Sequence, residues 1–69
     1  MFDRIEADTL GMLATVLNAL ALRSRLEREG KKVVVQSAIH TELTDPISPR
    51  AARAALAEGA IVLFAGGTG

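Results

Sequence analysis

The residues best suited to chemistry are four at the carboxyl end of the chain, Gly66-Gly67-Thr68-Gly69, which directly follow an apolar run. Consecutive glycines let backbone N–H groups approach an anion because no Cβ stands in the way. The Thr68 hydroxyl could add a hydrogen bond to a phosphate oxygen. The pattern is neither a P-loop nor a dinucleotide fingerprint, because the lysine and the required spacing are missing. A tight turn or a frayed chain end is the alternative interpretation.

Asp8 and Gly11 are the next candidates, at the start of a long apolar stretch. A carboxylate at a helix start could accept hydrogen bonds from ribose hydroxyls. Alternatively, Asp8 caps the helix or interacts favourably with the helix dipole. Gly11 inside a helix costs about 1 kcal/mol relative to alanine. Close packing against another backbone would explain this glycine, and so would the close approach of a ligand.

The remaining polar residues predict neither a catalytic residue nor a metal site. His40 is the one histidine, so a metal ligand or catalytic base at this position is not expected. The chain has no cysteine, which excludes a thiolate site and a disulfide framework. Arg50 and Arg53 lie three residues apart and are expected on a solvated helix face. No Ser-His-Asp arrangement and no carboxylate pair can be assembled from the pattern.

A long first helix must position Asp8 and Gly11. It is predicted to begin at Asp3 or at Ala7 and to end at Glu29, before Gly30. Residues 10–22 leave almost no polar face, whereas a surface helix normally has one wet side. So short a chain cannot bury both sides of this helix. One side should therefore meet a partner chain or further parts of the same chain.

Two buried strands and a second helix follow. The valine run 33–35 and the apolar run 60–65 are typical of parallel strands that are covered on both faces. Ser48-Pro49 predicts the start of the helix between them, and Gly59 predicts its end. The connection between the strands implies a right-handed parallel crossover. The order helix, strand, helix, strand predicts an α/β fold, namely a segment of a three-layer α/β/α sandwich.

Charge and length exclude several functional classes. Lys+Arg and Asp+Glu are 8 each, so the net charge is zero and no nucleic-acid partner is expected. The uncharged stretch of residues 9–22 is shorter than the roughly 18 residues of a membrane span, so no membrane partner is expected. The charged residues that follow Met1 are unlike a secretory signal. These features favour the cytoplasm.

Five blocks of the sequence closely resemble bacterial UMP kinase (uridylate kinase), a member of the amino-acid-kinase family. The spacing between the blocks also matches that family, and together they cover nearly the whole chain. The block Gly-Met-Leu-Ala-Thr is the most specific of them. The blocks are Asp3-Arg4, Ala7-Asp8, residues 11–22, residues 36–39 and residues 61–69.

The resemblance implies a function and a set of site residues. It implies transfer of the γ-phosphate of ATP to UMP, giving UDP and ADP, with Mg²⁺ accompanying ATP, in pyrimidine biosynthesis. It implies that Asp8 contacts the UMP ribose and that Thr68 and Gly69 open the loop that lines the UMP site. Gly11 and Gly67 are possible secondary contacts. It also implies a homo-oligomer, with dimers formed through the helix of residues 10–22 and assembled into hexamers.

The departures from the family pattern leave alternatives open. Residues 1–69 are expected to be a partial amino-acid-kinase-like domain, since the family's Lys-containing strand, its Gly-rich loop and its ATP-binding half have no counterpart here. None of the expected catalytic residues lies in this segment, which alone should be inactive. The alternatives are a non-catalytic fragment that self-associates, or another family member such as a carbamate or amino-acid kinase.

Overall fold

The computed structural model describes the backbone of residues 4–66 and the side chains of residues 9–66. Two helices and three short strands make up this part of the chain. In chain order, they are α1 (Arg4–Arg28), β1 (Val33–Ser37), β2 (Asp45–Pro46), α2 (Pro49–Ala57) and β3 (Ile61–Ala65).

Helix α1 confirms the predicted long helix and corrects one interpretation of Asp8. Asp8 is the fifth residue of α1, so it is not the cap of the helix. The other candidate cap, Asp3, lies outside the described residues. At the far end, the Gly30 amide donates a 3.0 Å hydrogen bond to the Glu27 carbonyl, and Gly30 adopts a φ of 84°. This left-handed conformation ends the helix where the sequence predicts.

The three strands form one parallel sheet in the order β2-β1-β3. The central strand β1 pairs with β3 in register from Val33 opposite Ile61 to Ser37 opposite Ala65. Strand β2 contains only two residues, both exposed, and it pairs with the end of β1. The sequence analysis predicted two strands and missed β2, because two exposed residues show no apolar periodicity.

Helix α2 begins and ends as its sequence predicts. The Ser48 side chain accepts a hydrogen bond from the Ala51 amide at 3.1 Å and so satisfies one of the free N–H groups of the first turn. Pro49 follows in the first helical turn, where a missing N–H costs nothing. Gly59, with a φ of 85°, comes just after the last turn.

The two helices cover opposite faces of the sheet. On the α1 side, Val16 packs against Val35 and Ala65. Gln36, the next residue of β1, must point to the other face because side chains alternate along a strand. There it hydrogen-bonds to Ser48 at the start of α2. Helix, sheet and helix therefore form three layers, which confirms the predicted α/β/α arrangement.

One side of α1 is left uncovered, as the sequence analysis predicts. Val16 faces the sheet and is 5% exposed, whereas the next residue, Leu17, is 68% exposed. Leu10 and Leu13 are also exposed, and helical spacing places them on the same side as Leu17. We call these three residues the outer face of α1. The described part of the chain buries only the inner side of its longest helix.

Candidate functional site

The candidate site lies where the carboxyl ends of β1 and β3 meet. Ser37 and Ala65 are register partners at these ends, and the Ala38 amide donates to the Ala65 carbonyl at 3.2 Å. The chain therefore leaves both strands at the same edge of the sheet. Open parallel sheets bind ligands outside the carboxyl ends of their strands.

Thr15 joins helix α1 to this edge. Its Oγ1 accepts a hydrogen bond from the backbone N–H of Gly66 at 2.9 Å. The same hydroxyl donates to the carbonyl of Met12, one turn earlier, at 2.6 Å. A single side chain thus connects two segments that are 51 residues apart in sequence.

Gly66 is the first residue of the run 66–69, which we call the glycine turn after its composition, and a side chain at Gly66 would be strained. Its φ is 65°, a conformation that L side chains rarely adopt. A Cβ here would lie 3.0 Å from the Ser37 Oγ and 3.1 Å from the Ile39 Cγ1. Ser37 is itself held in place, because its Oγ accepts a hydrogen bond from the Ile39 amide at 2.9 Å. The start of the turn is therefore enclosed by Thr15 on one side and by Ser37 and Ile39 on the other.

A cavity of about 290 Å³ opens at the same edge, on the β2 side of β1. Ser37 and Ile39, which pack against Gly66, also line this cavity. Within it, the hydroxyls of Thr41 and Thr44 are hydrogen-bonded at 2.8 Å. The other lining residues are Ala38, His40, Asp45, Pro46 and Ile47.

This cavity was not predicted from the sequence, because no apolar pattern marks the residues between β1 and Ser48. His40 and Asp45 are exposed at its rim, which gives His40 a place beside a cleft that its isolation in the sequence did not indicate. Polar residues that follow a buried parallel strand were the available signal.

Gln36 ties the start of α2 to the central strand. Its side chain is fully buried, at 0% exposure. The amide Nε2 donates to the Ser48 carbonyl at 3.1 Å, and the Oε1 accepts from the Ser48 amide at 3.0 Å. Both ends of the side-chain amide are therefore satisfied by one backbone residue, and the entry to α2 is held against the sheet.

The predicted site residues fall mostly outside the described side chains. Asp8 belongs to α1, but its side chain is outside the described part, as are Gly67, Thr68 and Gly69. Gly11 is exposed in α1, and a Cβ there would have no atom within 4 Å. Close backbone packing within the described chain does not explain this glycine, so the ligand interpretation stays a prediction.

The predicted solvated arginines are indeed exposed. Arg50 and Arg53 both lie on the outer side of α2. The structure also gives Arg23 of α1 a contact: its Nη1 donates to the Leu43 carbonyl at 3.0 Å, in the connection after β1.

Among residues 9–66, no group of three or more acidic, histidine or cysteine side chains could hold a metal ion. In that same part of the chain, no helix is long and apolar enough to span a membrane.

The sequence has close relatives among uridylate kinases. The uridylate kinases of Brucella abortus and Mesorhizobium japonicum are each 52% identical to this chain over 68 residues. These 68 residues cover 97% of this chain and 28% of each relative, so the chain spans less than a third of their length. No protein-family model matches the sequence.

Solved structures agree with the sequence comparison. The UMP kinase of Ureaplasma parvum superimposes with a TM-score of 0.87 at 34% identity, covering 97% of this chain and 30% of that one. The UMP kinase of Bacillus anthracis superimposes with a TM-score of 0.88 at 38% identity, covering 97% and 28%. The predicted resemblance is therefore confirmed: in sequence and in fold, this chain is similar to one continuous segment of the uridylate kinases.

Proposed function

We propose that the intact protein carrying this segment is a cytoplasmic UMP kinase, which transfers the γ-phosphate of ATP to UMP. The observation that carries the proposal is the 52% identity to uridylate kinases over 97% of the chain. The segment contributes one wall of the UMP site and a helix for self-association. The resemblance assigns no catalytic residue to this segment, so we expect residues 1–69 alone to be inactive.

The geometry of the carboxyl edge supports the proposed role of Asp8. Helix α1 is followed within four residues by β1, so it runs back along the sheet and its first turns lie near the carboxyl ends of the strands. Asp8 precedes Thr15 by seven residues and so lies on the same helix face, about 10 Å nearer the helix start. Thr15 contacts Gly66, and this contact supports a location of Asp8 on the same side of the sheet as Gly66. A ribose bound between them would contact Asp8 on one side and Thr68-Gly69 on the other.

Gly11 and Gly67 have supporting roles in this proposal. Gly11 lies between Asp8 and Thr15 along α1, and the space beside its Cα is open. Gly67 directly follows Gly66 in the sequence. Both glycines would let a ligand approach the backbone closely.

Mg²⁺ accompanies ATP in the proposed reaction, and the resemblance assigns none of its ligands to this segment. Residues 9–66 offer no cluster of ligands for it. No catalytic step is therefore assigned to the metal in this segment, whose role is to bind and orient UMP.

The outer face of α1 supports the proposed self-association. Three exposed leucines along one helix side, Leu10, Leu13 and Leu17, make an apolar strip that favours burial. We propose that a second copy of the chain covers this strip in a dimer, and that dimers assemble into hexamers. Leu17→Asp should leave the subunit folded and shift sedimentation toward the monomer. An unchanged sedimentation coefficient over a wide concentration range would contradict the dimer.

The test of activity uses the natural, full-length protein. Mass spectrometry of the purified protein first establishes that length, and a coupled assay then measures ADP formed with UMP as acceptor. Asp8→Ala should raise the KM for UMP by tenfold or more, with much less effect on the KM for ATP. Equal effects on both KM values would count against the assigned role.

Asp45→Ala is the matched control, because this carboxylate lines the cavity near β2 instead of the glycine turn. We expect it to leave the KM for UMP unchanged. A rise in that KM with Asp45→Ala but not with Asp8→Ala would move the UMP site into the cavity.

A non-catalytic, self-associating fragment is the second candidate function. The exposed outer face of α1 favours it, because an apolar helix side is suited to self-association. A natural mass near 7.3 kDa with concentration-dependent sedimentation and no UMP phosphorylation would establish it. A mass several-fold larger with UMP-dependent ADP release would exclude it.

A further inference from the structure

We propose that Thr15 is a positioning residue for UMP, which sets the distance between α1 and the glycine turn. The inference rests on the proposed function, since it concerns the same site. Thr15 itself does not contact the substrate in this proposal. It acts through the backbone N–H of Gly66, which its hydroxyl holds at 2.9 Å.

The Thr15 hydroxyl is held in one orientation. It donates its proton to the Met12 carbonyl at 2.6 Å, so a lone pair of the same oxygen is left to accept from Gly66. Threonine in a helix adopts this arrangement readily, because its hydroxyl can bond the carbonyl one turn back. The donor and acceptor roles of one oxygen are thus both used, and its direction toward the sheet is determined.

Gly66 has little room to move toward a new hydrogen-bond partner if this bond is lost. The residue is buried, and Ser37 and Ile39 occupy the space on its other side. Without the hydroxyl, its N–H would lose that partner in a partly buried environment, which is costly. Gly66 would then have to shift to recover a partner, and the shift would move the start of the glycine turn relative to α1.

Loss of the bond between Thr15 and Gly66 should weaken the binding of UMP more than the binding of ATP. Asp8 belongs to α1, and Thr68 follows Gly66 by two residues in sequence, so the bond between Thr15 and Gly66 links the two segments that carry the proposed walls of the UMP site. A shift of about an ångström between such groups is enough to weaken binding and catalysis strongly. No residue of this segment is proposed to bind ATP, so the shift acts on proposed UMP contacts alone. The expected signature is therefore a change in KM for UMP that is not shared by ATP.

The test compares Thr15→Val with Thr15→Ser in the protein of natural length. Valine keeps the shape of threonine but removes the hydroxyl, whereas serine keeps the hydroxyl. We expect Thr15→Val to raise the KM for UMP about tenfold and to leave the KM for ATP within about twofold. Thr15→Ser should restore the KM for UMP. Hydrogen exchange of the Gly66 amide, followed by NMR, should accelerate about tenfold in the valine variant and not in the serine variant.

Two control variants separate positioning from general stability. Ser24→Ala removes an exposed hydroxyl from the same helix, away from the sheet edge, and should change nothing. Leu26→Ala truncates a half-buried side chain near the other end of α1 and should lower Tm without changing the KM for UMP. If Leu26→Ala raises that KM as much as Thr15→Val does, the effect is one of stability and the proposal is wrong.

The outcomes distinguish this proposal from the proposed function. An active wild-type protein whose Thr15→Val variant keeps the wild-type KM for UMP would overturn the positioning role alone. Unchanged exchange of the Gly66 amide in that variant would overturn it as well. A wild-type protein of natural length that does not phosphorylate UMP would overturn the proposed function, and the positioning role with it.

Discussion

The two edges of the sheet are held together in different ways. At the carboxyl edge, the hydrogen bonds of Thr15 and Gln36 are partly buried and join side chains to backbone. At the amino edge, Lys32 and Glu58 form an ion pair of 2.9 Å whose side chains are 65% and 64% exposed. Water competes for an exposed pair, which therefore contributes little, whereas a buried backbone group has no substitute partner. Residue identity should matter at the carboxyl edge far more than at the amino edge.

The largest effect is expected for Gln36→Leu. The substitution removes both hydrogen bonds to Ser48 and leaves its buried-side N–H without that partner, whereas its carbonyl keeps the 2.9 Å hydrogen bond from the Ala52 amide. The free energy of unfolding should fall by about 3 kcal/mol, measured by urea denaturation. Lys32→Gln on the other edge is the control and should have a much smaller effect. If both variants lose the same free energy of unfolding, the two edges do not differ in how strongly stability depends on residue identity.

The second-largest loss of stability is expected for Gly66→Ala. An alanine at a φ of 65° is strained, and its Cβ would press on Ser37 and Ile39. We expect a loss of about 2 kcal/mol in the free energy of unfolding. Gly11→Ala is the matched control, because that glycine is helical and has open space. It should stabilise the protein by up to about 1 kcal/mol.

The Gly11→Ala variant also tests whether a ligand binds beside this part of α1. A Gly11→Ala variant that is more stable but has a higher KM for UMP would place the ligand beside this part of α1. A destabilised Gly11→Ala variant would contradict the open space seen next to the helix.

Ser48→Ala should have a moderate effect. It removes the side-chain cap of α2 but keeps the backbone groups that bind Gln36. The expected loss is about 1 kcal/mol, observed as a lower Tm in a thermal melt. Ser48→Asp should retain the stability, because aspartate is an equally good cap. A loss of the same size in both variants would show that the cap is not the cause.

The smallest effect is expected for Glu58→Gln, and it should depend on pH. The Lys32 ammonium donates a hydrogen bond to the Glu58 carboxylate and attracts it, which lowers the pKa of that carboxyl below its ordinary value. The pair therefore stabilises the fold at pH values above the ordinary pKa of glutamate, about 4.3, and loses this effect as the pH falls through the lowered pKa. Tm of wild type and variant should differ slightly at pH 7 and converge in acid. A difference that grows in acid would contradict the sign of the shift.

Much of the fold was predictable because the signals are local. Ser48-Pro49 and Gly59 delimit α2 through their own capping and conformational preferences, and the valine run of β1 needs cover on both faces. Strand β2 was not predictable, since Asp45 and Pro46 are in a strand only because they meet the end of β1.

The candidate site was predictable only in part. The glycine-rich turn and Asp8 stand out by residue type, and the resemblance to UMP kinases adds their roles. The contact between Thr15 and Gly66 was hidden, because a helical threonine is unremarkable in sequence and its partner is 51 residues away. The cavity after β1 was hidden for the same reason.

Helix ends, strand propensity and the apolar character of both sides of α1 are properties of neighbouring residues, and the sequence alone determined them. The tertiary structure decided which side of α1 faces the sheet, where Val16 is buried and Leu17 is exposed. It also decided that Thr15, Ser37 and Gly66 meet at one edge. These contacts depend on distances between segments far apart in the chain, and such distances exist only once the helix has packed on the sheet.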